Sequence, residues 1–287
     1  MKVETPLSKT LFSILRLEVT TPQTAGVTTA FVFSQSWQGA HAPFLVTAAH
    51  VLEGATKGRI FFCKGKDEKP VIGEYVCLEL EEFSKGWHRH PNKDLDVAIL
   101  PLAPLVRQIE QNGGTVFNTA LDESLLPGAD PAVDAVEDVH VLGFSAEVQD
   151  RRHLFPLVQK GVTANPYVID YAGTPKFAVQ VPVYAGMAGS PVLLARTFHQ
   201  PTSQGMATAT QLVLLGMLTE VAVRQDRAAS INLPIPTLPS PGREDLTWCP
   251  FGLALKSSAI SEAVLDFLKT LEATQPQPVG GTTAPQS

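Results

Sequence analysis

An all-β fold is predicted by three observations. Short segments rich in Val, Leu, Ile, Phe and Thr recur along the chain, punctuated by turn residues, among them 21 Gly and 23 Pro in 287 residues. Hydrophobic residues make up 44% and charged residues 17%, enough apolar content to fill a sizeable core. Helical periodicity is confined to two stretches, near residues 104–111 and 258–269, where Ile260, Val264, Phe267 and Leu268 share one face.

Taken in order, the first strands are expected at residues 11–19, 28–34, 44–47, 59–63, 75–80 and 97–100, each an apolar run bounded by polar or turn residues. A second set follows at 139–143, 158–164, 177–183, 192–195, 211–219 and 252–255. The final helix is expected to dock on this second set. Between the sets, residues 121–138 are acidic and proline-containing and read as a connector. Residues 224–250 carry Pro234, Pro236, Pro239 and Pro241 and form a loop longer than an all-β fold needs, which marks it as functional. The tail from 274 to 287, rich in Gln, Pro, Gly and Thr, reads as disordered.

Three segments carry chemistry. Thr47-Ala48-Ala49-His50 ends an apolar strand in small residues and then a histidine, a placement suited to a general base at a cleft. In Asp94-Leu95-Asp96-Val97-Ala98-Ile99-Leu100, Asp96 directly precedes the apolar run and sits at a buried strand start. Asp94, two positions earlier in a polar turn, reads as a solvated carboxylate. Gly186-Met187-Ala188-Gly189-Ser190-Pro191 offers backbone N–H groups at Gly186 and at residue 188 that suit a developing oxyanion. The order His, Asp, loop is that of the chymotrypsin-type hydrolytic triad, with alanine at the nucleophile position.

With the later pairs Gly216-Met217-Leu218-Thr219 and Gly252-Leu253-Ala254-Leu255, these strings make residues 10–272 resemble a trypsin-like serine peptidase of the intracellular bacterial type. The resemblance implies two six-stranded antiparallel β-barrels and a C-terminal helix. Residues 1–120 would form the barrel carrying His50 and Asp96, residues 121–138 a linker, residues 139–273 the second barrel, and residues 274–287 a tail. The activity implied is that of an endopeptidase on proteins or peptides. His50 is then base and acid, Asp96 its orienter, Gly186 and residue 188 the oxyanion donors, and Ala188 the place of the expected serine. Flanking Gly189 and Pro191 put Ser190 two residues past that place. The chain then stands as an inactivated Ser→Ala form, or alternatively as a natural pseudoprotease whose cleft holds a peptide or protein.

By the same resemblance, substrate contacts fall to residues 182–185, including Tyr184 and Ala185, to Thr219, Glu220 and Val221, and to the wall from Gly252 to Ala254. An extended peptide would add a strand beside Thr219, Glu220 and Val221. Glu220 reads either as an exposed strand carboxylate or as a group favouring a basic side chain at the pocket mouth. Met187 replaces the aspartate that receives a new N-terminus in zymogen activation, so the loop needs its own packing or a regulatory protein partner to order it.

A net charge of −6 without a dense basic run argues against nucleic acid and anionic membrane as partners. No cofactor or metal is expected. Cys63, Cys77 and Cys249 are odd in number and lack metal-ligand spacing. No apolar run suits a signal peptide or bilayer span, so a cytoplasmic location is expected.

Overall fold

The structure, a computed structural model, describes residues 2–128, 132–202, 205–225, 229–239 and 246–274. A short helix α1 (Pro6–Thr10), capped by reciprocal hydrogen bonds between Thr5 and Ser8, precedes the first sheet. That sheet contains β1 (Ile14–Thr20), β2 (Ala25–Trp37), β3 (Ala40–Thr47), β4 (Lys57–Lys66), β5 (Lys69–Glu81), β6 (His88–Arg89) and β7 (Ala98–Pro101). After helix α2 (Leu102–Gln111), β8 (Val116–Phe117) pairs with β4, and β9 (Leu121–Asp122) pairs with β2. The main path is β5-β4-β1-β2-β3-β7-β6.

The second sheet is built from β10 (Asp138–Gly143), β11 (Leu157–Thr163), β12 (Lys176–Gln180), β13 (Pro191–Thr202), β14 (Gly205–Gln225), β15 (Ile231–Pro234) and β16 (Leu246–Lys256). Pairing of β13 with β14 returns the path β13-β10-β11-β12-β16-β14 to its start, so six strands close a barrel and β15 lies outside it on β14. The fold is thus the mostly-β, two-sheet architecture of chymotrypsin-like proteins, finished by the helix α3 (Ser257–Thr274).

Alternation along each strand turns one set of side chains inward. Phe31, Phe33, Leu45, Ile60, Phe62 and Ile99 fill the first sheet's core, and Leu142, Phe177, Val179, Leu193, Leu214 and Met217 that of the second; all are essentially without solvent contact. Two hairpins show why register holds. Gln38 and Gly39 (φ 51° and 80°) close β2 to β3, and Asp67 and Glu68 (φ 50° and 57°) close β4 to β5. Both use the double left-handed turn whose twist matches paired strands.

Three expectations are corrected. The hairpin of β13 and β14 runs far past the apolar stretches, because main-chain pairing from Ala195↔Leu212 to Thr202↔Gly205 continues through polar residues that read as loop. β15 lies within the proline-rich stretch expected to be irregular. Helix α3 bridges both sheets instead of docking on the second alone: Phe267 stacks edge-on against Phe44 at 5.6 Å, and His88 Nε2 lies 3.0 Å from Asp266 Oδ2. The expected disordered tail, from residue 275 onward, and residues 226–228 and 240–245 of the long loop lie outside the described residues. No helix among the described residues is long and apolar enough to cross a membrane.

Candidate active site

His50 sits on a single 3-10 turn, Ala49–Leu52, directly after β3. The two alanines before it are buried, so the turn packs flush against the sheet. Asp96 stands just before β7, and pairing of β3 with β7 brings the two ends together. Its Oδ2 lies 2.6 Å from His50 Nδ1, and its Oδ1 accepts the His50 backbone N–H at 2.9 Å. One carboxylate therefore fixes both the ring and the main chain of the histidine. Asp94 is exposed, and its backbone N–H donates to Asn92 Oδ1 at 3.0 Å, as a loop residue would.

Burial is the largest single influence on each member of the pair and works against its charge. The mutual hydrogen bond and attraction outweigh it together. His50 is raised above its ordinary value, helped by the Ile235 carbonyl and the Glu53 charge, while Asp96 is lowered below its own, helped by the His50 and Ala49 backbone N–H groups.

The loop from Gly186 to Pro191 enters from the second sheet. Gly186 and Gly189 take φ of 94° and 88°, conformations that side chains resist. At Gly189 a Cβ would overlap the Thr29 carbonyl oxygen and stand 2.7 Å from Thr47 Oγ1. Threonines of the first sheet pin this loop. Thr28 Oγ1 donates to the Ala188 carbonyl at 2.9 Å, Thr29 Oγ1 to the Gly186 carbonyl at 3.0 Å, and Thr47 Oγ1 to the Thr29 carbonyl at 2.7 Å. From the other side, Gly189 N–H reaches the Leu218 carbonyl at 2.9 Å, and Met187 is completely buried. Packing and these main-chain contacts thus order the loop. Ser190 is fully buried, its hydroxyl has no hydrogen-bond partner among the described residues, and a Cβ on Gly143 would collide with it.

The strand edge expected to receive a peptide is already paired. Opposite β14, Glu220 faces Pro234 and Val221 faces Leu233, and the Ile235 N–H continues the ladder to the Thr219 carbonyl at 3.0 Å. Ile235 O then lies 2.9 Å from His50 Nε2, the Pro236 carbonyl accepts the Gly186 N–H at 2.8 Å, and the Thr237 carbonyl accepts the Val27 N–H at 2.9 Å. A carboxylate and a carbonyl both accept, so the two contacts favour the imidazolium form, the direction in which His50 is raised. Gly26 leaves room for this arrangement, since a Cβ there would stand 2.6 Å from Thr237 Cβ.

The remaining expected contact residues line the same region. Tyr184 is half-buried, and Ala185 is buried with its carbonyl accepting the Ala146 N–H at 2.8 Å. On β16, Gly252 pairs with Val221 and Ala254 with Leu218. A Cβ on Gly252 would press on Leu218 Cδ1 at 2.5 Å, so the wall has no spare depth there. The Glu220 carboxylate is bound by Lys176 Nζ at 2.5 Å, with only 17% of its side chain exposed, so its charge is already balanced within the chain.

Sequence reading missed Thr28, Thr29, Val27, Ile235 and Pro236. Nothing local marks the threonines, which look like ordinary strand residues. The Leu233-Pro234-Ile235-Pro236 alternation does carry a signal, because proline restrains itself and its predecessor to extended backbone.

No protein-family model matches the chain, and no curated protein matches it. Among solved structures it is similar to the HtrA-type protease AlgW with tripeptide, at 12% identity and a TM-score of 0.46, over 94% of this chain and 64% of that one. The chain thus spans somewhat under two thirds of that protein's length. It is also similar to the Rv3671c protease of M. tuberculosis in its active form, at 16% identity and a TM-score of 0.43, over 96% of this chain and 86% of that one. A scabies mite inactivated protease paralogue matches at 14% identity and a TM-score of 0.42, over 93% of this chain and 97% of that one.

Proposed function

We propose that the chain is a serine-endopeptidase framework for protein or peptide substrates, stopped at the binding stage by Ala188. The observation that carries this reading is the 2.6 Å contact of His50 Nδ1 with Asp96 Oδ2, which presents Nε2 to the cleft. With serine at position 188, neutral His50 would take the hydroxyl proton through Nε2 as the oxygen attacked a peptide carbonyl. The Gly186 and residue-188 N–H groups would hold the oxyanion. The imidazolium would then return the proton to the departing amine, and water would release the acyl group by the same steps. Alanine offers neither the nucleophile nor the proton, so position 188 reads as a Ser→Ala inactivation and binding is what remains. Unpaired Cys63, Cys77 and Cys249 are in keeping with a reducing, cytoplasmic setting, and a protein partner that frees the cleft belongs to the same reading.

A second reading, favoured by the extended segment lying in the cleft, is a natural pseudoprotease that uses the same surface to hold a peptide or protein. The test is Ala188→Ser, exposed to a fluorophosphonate probe in the otherwise unchanged chain and with Gly26→Ala added to crowd Thr237. Labelling that disappears on His50→Ala is the expected result. Labelling in neither background refutes the endopeptidase reading and leaves the pseudoprotease.

A further inference from the structure

We infer that residues 231–237 are a built-in occupant of the peptide cleft, and that the cleft's ligand in trans is an extended peptide of the same kind, a buried branched aliphatic residue flanked by prolines. The inference deepens the function proposed above and rests on its peptide-binding part, without requiring the chemistry.

Four main-chain contacts carry it. β15 adds to β14 as an extended peptide would, and the ladder ends with Ile235 N–H on the Thr219 carbonyl at 3.0 Å. Beyond that point the segment touches three groups that belong to neither strand: the His50 ring, the Gly186 N–H and the Val27 N–H. A surface loop satisfied by solvent has no reason to engage both the histidine and the loop glycine of a cleft. Ile235 is completely buried, unlike its neighbours Pro234 and Pro236, so a single side chain anchors the segment. Ile235 belongs to the continuous apolar core, so a charged residue is the poorer fit there.

The prolines explain the economy of the arrangement. Pro234 and Pro236 have no N–H to leave unpaired, and they restrain Leu233 and Ile235, the residues before them, to extended backbone, which lowers the entropy lost on binding. They also place the Ile235 carbonyl on the histidine while the next carbonyl fills the glycine donor. The protonated form of the base is thereby favoured, and the donor suited to an oxyanion is occupied. Gly26 completes the fit, its missing side chain leaving space that Thr237 takes.

Being tethered, the segment competes at an effective concentration on the order of mM. A free peptide is therefore excluded until the segment is displaced. The experiment uses the full chain with Ala188 in place and a fluorescein-labelled, end-capped peptide of sequence Ile-Asn-Leu-Pro-Ile-Pro, which stops short of the threonine that a methyl at position 26 would overlap. Binding is followed by anisotropy to the native chain, to Gly26→Ala, whose methyl overlaps Thr237, and to Ile235→Asp, which removes the anchor. The expected result is at least tenfold tighter binding to one or both variants than to the native chain, lost when aspartate replaces the second isoleucine of the peptide. Should one variant fail to fold, the other stands alone, since one alters the sheet and the other the segment.

Amide hydrogen exchange on the native chain supplies an independent reading: Val27, Gly186 and Ile235 are expected to be protected together and to lose protection together in the variants. Equal binding to all three chains, indifference to the aspartate exchange, or absence of binding to every variant that folds each overturns the inference. The endopeptidase reading fails separately. Specific binding with an unlabelled Ala188→Ser refutes only the chemistry, and probe labelling without specific peptide binding refutes only the built-in occupant.

Discussion

Replacing Ile235 by alanine is the perturbation whose size can be worked most directly. The side chain is fully buried, and the change removes three carbon atoms. At about 0.8 kcal/mol for each buried methylene, the transfer loss is about 2.4 kcal/mol, and residual cavity raises it toward about 4. That loss falls on the equilibrium between the docked and released segment, because β15 lies outside the closed ring of six strands and can leave without opening it. Exchange at the Val27, Gly186 and Ile235 amides is therefore expected to accelerate by about 50-fold to about 700-fold, at about 1.4 kcal/mol per tenfold. The amides of the ring strands, such as Leu193 and Val141, stay as protected as before. Urea unfolding of the whole chain should shift by less than for Phe177→Ala, a fully buried ring-strand residue for which about 3–5 kcal/mol is expected. Acceleration below about fivefold at Val27 and Gly186 would refute the reasoning, as would an equal loss of protection throughout the second sheet.

Docking of the segment is also expected to depend on pH. His50 is raised from an ordinary 6.5, so its contribution is complete below that value and is lost as pH rises through the raised one, when Nε2 can no longer donate to the Ile235 carbonyl. Asp96 is lowered from 3.8, so its contribution is complete above that value and is lost as pH falls through the lowered one. Amide protection at Gly186, corrected for intrinsic rates, should therefore fall on the alkaline side, and a flat profile from slightly acid to alkaline pH would contradict this. Gly189→Ala should reduce stability by at least about 3 kcal/mol, from positive-φ strain and overlap with the Thr29 carbonyl; a urea midpoint near that of the parent would argue against the placement of the loop. Lys176→Met should destabilise by about 1–3 kcal/mol by leaving Glu220 half-buried and unpaired. Adding Glu220→Leu should recover much of that loss in a double-mutant cycle, and purely additive losses would count against the pair.

The strands whose inward faces are strictly apolar were legible in the sequence within a few residues: Val97 to Leu100 becomes β7, and Val139 to Gly143 lies within β10. There the same alternation that marks a strand also decides which face is buried. The ends of β13 and β14 were not legible, because their pairing is main-chain to main-chain and polar side chains neither favour nor forbid it. Likewise the apolar face of α3 announced a docked helix but not its partners, which Phe267 and Asp266 find on the first sheet, at Phe44 and His88.

For the site, the sequence alone determined which groups are present: an imidazole after a strand, a carboxylate before one, and a glycine-bounded loop holding alanine at its centre. Those are properties of residue type and order, and they survive any folding detail. Tertiary structure decided what those groups face. The 2.6 Å pairing of His50 with Asp96, the threonine pins on residues 186–188, and the placement of Ile235, Pro236 and Thr237 against His50, Gly186 and Val27 all join residues far apart in the chain. Such contacts depend on how two sheets meet, and hydrogen bonds of the main chain, which every residue can make, leave no mark in the sequence to foretell them.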